Sequence, residues 1–191
     1  KDNLDKKWNW SILSSNRNFT WRHIYEYFYL EWDWKYVSMN CNITPTIIEK
    51  YHNFPWDWRW MSLNINMTWD FIERNMDKDW CWIWLSGAYF LNMDIILDNL
   101  DLSWDFKELS RNNKISFNKI IENRHLPWEY DYLSQHYGIK IDYVKNNMEY
   151  GWDWNHISKN FGIKWLDIKN NPELPWDWGD VSSNYHITTD I

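Results

Sequence analysis

The chain has 191 residues, a formal net charge of −7 and an aromatic content of 20% that includes 19 Trp. Aromatics at that level exclude ordinary disorder, an acidic balance argues against a nucleic-acid binder, which needs a basic face, and no run of about 18 apolar residues offers a membrane span. Two Cys, Cys41 and Cys81, make no disulfide scaffold and need no oxidising compartment.

The start, Lys1–Asp5, is polar and lacks the apolar core of a signal peptide, so secretion is not expected. From there on the chain is a repeat. Trp8, Trp32, Trp56, Trp80, Trp104, Trp128, Trp152 and Trp176 are each 24 residues apart, with no insertion or deletion. They open eight copies of one unit in a single array over residues 1–191, the last copy truncated. With that Trp as phase 0, phase 2 is Trp10, Trp34, Trp58, Trp82, Phe106, Tyr130, Trp154 and Trp178. Phase 5 is aliphatic or Met, from Leu13 to Val181, and phase 6 is Ser in every copy, from Ser14 to Ser182. Phase 8 is Asn except at Ala88 and His136; phase 11 is Ile except at Phe19, Met67 and Leu91; phase 16 is Ile except at Val144; phase 19 is Asn from Asn75 onward. A 24-residue unit cannot bury its own apolar face, so copies are expected to stack and share one core.

Within a copy the elements follow in order, as in the third. Helix A is predicted over Pro55–Leu63, with Pro55 in the first turn and Asp57 beside the positive end of the helix dipole. Asn64 suits the left-handed residue that often follows a helix. Helix B is predicted from Thr68 as N-cap through Trp69–Arg74, ending near Asn75. Phases 2 and 5, and 13 and 16, share a helix face, whereas phases 0 and 2 point apart, so one indole can serve its own copy and the other a neighbour. Pro45 and Met93 replace the phase-13 Trp and weaken the case for helix B in the second and fourth copies.

The expected fold is therefore all-α, an α-solenoid of eight two-helix repeats; at about 8–10 Å per copy this predicts a rod of roughly 65–80 Å. The alternative is a β-solenoid with one coil per repeat, since Trp-Asp-Trp also alternates. Against it, the acids of phase 1 would stack about 4.8 Å apart as like charges. Val and Gly are also scarce for strands and tight turns.

No catalytic constellation stands out. The phase-6 Ser recurs eight times without a fixed His or Asp partner column, and suits a small neighbour to the phase-2 ring whose hydroxyl bonds the carbonyl one turn back. The six His are scattered in phase, with no metal-ligand spacing, and no Gly-rich phosphate loop precedes a helix, so neither metal nor cofactor is expected. The acids Asp33, Asp57, Asp105, Glu129, Asp153 and Asp177 read first as helix-start electrostatics and second as an acidic stripe for a basic partner. Phase 4 varies, and Tyr36, Trp60 and Trp84 on consecutive copies form a candidate aromatic patch. The first and last copies are full-strength rather than polar caps, so a longer array, a covering chain or self-association through open ends is expected.

Asn171-Pro172-Glu173-Leu174-Pro175-Trp176-Asp177-Trp178, Leu133-Ser134 and Met67-Thr68-Trp69-Asp70 resemble the short Trp-rich tandem repeats of proteins from giant DNA viruses of amoebae. The resemblance covers nearly the whole chain. It implies packing rather than an activity, carries no catalytic or binding residues, and points to a virion or infected-host cytoplasm. The reading is a non-enzymatic structural or protein-interaction scaffold, binding neither nucleic acid nor membrane. Its rival is a ligand-binding module in which surface aromatics hold a carbohydrate or other flat ligand.

Overall fold

The computed structural model describes residues 6–187, and among these the chain is helical with no strand. Each copy contributes helix A and, except the truncated last, helix B. The A helices are α1 (Trp10–Ser15), α3 (Trp34–Met39), α5 (Trp58–Met61), α7 (Trp82–Ser86), α9 (Phe106–Arg111), α11 (Tyr130–Leu133), α13 (Trp154–Lys159) and α15 (Trp178–Val181). The B helices are α2 (Trp21–Glu26), α4 (Pro45–Lys50), α6 (Trp69–Glu73), α8 (Met93–Leu97), α10 (Phe117–Glu122), α12 (Ile141–Lys145) and α14 (Trp165–Lys169). Backbone contacts divide the chain into an N-terminal half, Lys1–Phe90, and a C-terminal half, Leu91–Ile191.

Helices of one to two turns are unstable alone, so packing must hold them. Within each half A helices pack on one another: α1 on α3 and α3 on α5, α9 on α11 and α13 on α15. Phases 5, 11 and 16 are the aliphatic core: Val37, Met61, Leu109 and Ile157, Ile43, Met67 and Ile115, and Ile24, Ile72 and Ile96 are fully buried.

Helix A starts later than the sequence predicts. The phase-0 Trp and phase-23 Pro lie outside it, and the phase-1 acid is its N-cap rather than a first-turn residue: Asp57 accepts from the Trp60 N–H at 3.0 Å, Asp105 from Glu108 at 2.9 Å and Asp177 from Asp180 at 2.8 Å. A side chain that satisfies an orphan N–H is worth more there than one more turn of helix. Asn64 does not take the left-handed conformation, and no described non-glycine residue has positive φ. Helix B falls where predicted, with Thr68 as N-cap accepting from Phe71 at 3.3 Å. It also forms at both doubtful places. Pro45 occupies the first helical position, where its fixed φ fits, and Asn92 caps the helix opened by Met93.

Both Trp columns reach across the copy boundary, rather than one serving its own copy and the other a neighbour as expected. From Trp32 to Trp176 the phase-0 indoles are buried, and each Nε1 donates to the phase-19 carbonyl five residues earlier, at 2.9 Å for Trp32–Tyr27 and 2.8 Å for Trp80–Asn75 and Trp152–Asn147. This closes the C-terminus of the preceding helix B. Within each half, phase-2 rings meet the next copy's phase-0 indole edge-on: Trp10–Trp32 at 5.4 Å and 77°, Trp58–Trp80 at 5.3 Å and 80°, Trp154–Trp176 at 5.2 Å and 88°.

Candidate interaction face

Two polar columns tie copies to one another within each half. Ser62 and Ser134 donate to the carbonyls of Trp58 and Tyr130 one turn back, at 3.2 and 2.8 Å. The same hydroxyls also accept the backbone N–H of the next copy's N-cap, from Cys81 and from Asp153, both at 2.9 Å. Ser14, Ser38, Ser110 and Ser158 accept in the same way from Asp33, Asp57, Glu129 and Asp177. The sequence showed the first of these bonds and not the second, because a partner 19 residues away is visible only once copies are stacked.

The phase-8 Asn is buried and reaches backward. The Asn64 amide donates to the carbonyls of Ser38, Asn40 and Ile43 at 2.8, 3.1 and 3.2 Å, while its Oδ1 accepts the Asn66 N–H at 2.9 Å. Asn40, Asn160 and Asn184 make the equivalent bonds. His136 stands in for Asn: its Nδ1 accepts the Gly138 N–H at 3.0 Å, which places the ring proton on Nε2, 2.8 Å from the Ile115 carbonyl that accepts it. Burial pushes the His136 pKa below the usual histidine value, against the backbone carbonyls that raise it, so the ring is neutral.

With Trp, Ser and Asn spent on packing, phases 4, 7 and 9 remain as one outward face in each half. In the N-terminal half, Tyr36, Trp60 and Trp84 are half-buried and form a continuous row: Tyr36–Trp60 centroids are 5.4 Å apart at 43°, and Trp60–Trp84 are 5.7 Å apart at 63°. Exposed Leu63, Ile65 and Tyr89 lie beside them, and Trp84, Leu63 and Tyr89 border a cavity of about 290 Å³.

In the C-terminal half phases 4 and 7 are mainly polar, and several of their side chains are paired. Arg111 grips Glu108 with two nitrogens, Lys159 reaches Asp180 at 3.3 Å, and His156 Nδ1 meets Asp153 at 2.7 Å. Burial raises the Asp153 pKa, but hydrogen bonds from His156 outweigh it and hold the carboxyl below its usual range. Phase 9 carries an exposed row, Tyr137, Phe161 and Tyr185, with centroids 6.2 and 5.5 Å apart. Arg111, Gln135, Lys159 and these first two rings border a cavity of about 440 Å³. The phase-9 row was overlooked in the sequence, although Tyr137, Phe161 and Tyr185 recur at the same 24-residue spacing as the Trp.

The acids named from the sequence fall at the helix starts. Asp33, Asp57, Asp105, Asp153 and Asp177 cap their helices, Asp33 also accepts from Ser11 at 2.7 Å, and Glu129 makes no side-chain cap. Among the described residues, no group of three or more His, Cys, Asp or Glu is arranged to hold a metal, and no helix is long and apolar enough to cross a membrane.

These features define a class: an all-helical tandem repeat whose copies are joined by indoles, hydroxyls and amides. Comparison with known protein families, with curated proteins and with solved structures gives no match.

Proposed function

We propose that the chain is a non-enzymatic scaffold that engages a protein partner through the face formed by phases 4, 7 and 9, its copies stacked within each half in the manner of an α-solenoid. One observation carries this reading. Residues that recur in every copy are used to join copies, whereas residues on this face change from copy to copy, as a surface shaped for a particular partner would. The row Tyr36, Trp60 and Trp84 offers large rings with little rotamer freedom, the composition that dominates protein contacts. The capping acids add a repeated negative charge beside it, suited to a partner with basic side chains. The resemblance to giant-virus repeats supports a virion or infected-cell setting. Trp178 is 57% exposed, an indole surface that a second copy of the chain would cover on self-association.

A photo-crosslinking residue placed at Trp60 or Trp84, compared with one at Arg22 or Glu73 on the exposed side of helix B, tests the reading in the native setting. Adducts to one protein from the phase-4 positions alone are expected. Equal labelling from both sides would reject the face. The rival reading, a flat carbohydrate ligand on the same rings, rests on their continuous row. Saturable fluorescence quenching by glycans, lost in Trp60→Ala and Trp84→Ala, would favour it.

A further inference from the structure

The Asn column has one gap in the N-terminal half, and the gap has a definite chemistry. At the junction before it, one carboxamide does two things: the Asn64 NH2 meets three carbonyls (Ser38, Asn40, Ile43), and its Oδ1 accepts the N–H two residues on. Asn184 repeats the pattern, donating to Ser158, Asn160 and Ile163 at 3.0, 3.1 and 3.3 Å and accepting from the His186 N–H at 2.9 Å. In the fourth copy Ala88 occupies this place and brings no amide. The carbonyls of Ser62, Asn64 and Met67 therefore lack the donor their counterparts have, and the Phe90 N–H lacks the acceptor.

A second donor is missing at the same spot. Asn66 donates to Cys41 and Ile43 at 2.7 and 2.8 Å, but Phe90 replaces the next Asn of that column, and its ring packs against the core instead. The cavity of about 290 Å³ opens here, bordered by Ser62, Asn64, Ala88, Phe90, Trp84 and Tyr89. Its volume is at the small end for a ligand site, enough for a single ring.

We propose that this cavity binds a primary carboxamide borne on a flat ring. The NH2 donates to the carbonyls of Ser62 and Asn64, which border the cavity, the amide oxygen accepts from the Phe90 N–H, and the ring lies against Trp84 or Tyr89. The ligand completes the hydrogen bonds that an Asn makes elsewhere in the molecule, so both ends of the amide are read. A carboxylate on the same ring meets carbonyl oxygens with its own negative oxygens and is rejected. This site does not depend on the scaffold reading; it stands or falls on its own residues.

Nicotinamide is the probe, titrated into the full chain and followed by ligand-observed NMR, with nicotinate and N,N-dimethylnicotinamide as controls that lack the NH2. Saturable binding of nicotinamide alone is expected, weakened at least about tenfold in Ala88→Asn, whose own amide fills the place. The same variant is expected to unfold at a higher temperature than the wild type. Absence of saturable nicotinamide binding to the wild type would overturn the proposal, as would equal binding to Ala88→Asn or to the controls. Amide-resolved NMR of the wild type supplies a check that needs no variant: the Phe90 N–H must shift on titration, and shifts confined to other residues refute the site.

Discussion

Phase 4 is aromatic in three of four copies of the N-terminal half and ionic in three of four of the C-terminal half, Ile12 and Tyr132 being the exceptions, although the columns beneath it are the same. Tyr36, Trp60 and Trp84 touch ring to ring, while Glu108, His156 and Asp180 are each held by an ion pair or charge-assisted hydrogen bond. Phases 0, 5 and 6 show no such change: Trp56 and Trp152, Met61 and Ile157, and Ser38 and Ser134 are all buried. Framework and display are thus carried by different columns. The outer face can be rewritten in one half without disturbing the bonds between copies.

The strongest way to break this comparison is to remove an indole from the framework of each half. Trp56→Ala and Trp152→Ala each delete a buried ring and its bond to a helix-end carbonyl, at 3.0 and 2.8 Å. Each is expected to cost about 3–5 kcal/mol in urea unfolding, since both leave a cavity where a large ring had been. Costs that differ severalfold between the halves would show that the framework is not shared. A smaller loss is expected from Ser38→Ala and Ser134→Ala. Each strips the acceptor from an N-cap N–H, that of Asp57 or of Asp153, and should cost about 1–3 kcal/mol by the same measurement.

The third test sharpens the contrast, because it concerns a slope rather than a level. His136 lies in the C-terminal half, and the corresponding column of the N-terminal half, Asn16, Asn40, Asn64 and Ala88, has no titrating group. Its folded pKa is depressed, mainly by burial, so as pH falls through about 6.5 the unfolded chain takes up this proton before the folded chain does. Stability contributed by the neutral ring is therefore full above that pH and is lost as the solution becomes more acidic, until the folded ring also protonates. Melting temperatures recorded from neutral to mildly acid pH should fall for the wild type. They should fall less for His136→Asn, which restores the column's usual amide. The Asp153 carboxyl, held low, contributes its own loss only further into the acid range, so the two windows separate.

Much of the fold was legible in the sequence because apolar periodicity and indole spacing survive in one dimension. The start of helix B at Thr68 could be read from a local cap signal. The start of helix A was misplaced because Pro55 and Asp57 suit a first turn as well as the entry to one; only the capping bond to the Trp60 N–H separates the two. Asn64 misled for a related reason. Asn favours left-handed caps, but here its amide finds carbonyls 21 to 26 residues away, and a contact at that range has no local signature. The row Tyr36, Trp60 and Trp84 followed from phase alone. The exceptions Ala88 and His136 were visible as breaks in a column, yet what each break does depends on the partners that the amide would have had.

The backward-reaching bonds have one more consequence. Ser38, Asn40 and Asn64 connect to backbone groups of neighbouring copies, or are met by them, and not to side chains there. A backbone carbonyl or N–H is offered by any residue except for the missing donor of proline. Adjoining copies therefore need not be matched to each other in sequence. A 24-residue copy added or removed whole would leave these backbone partners in place at the new junction.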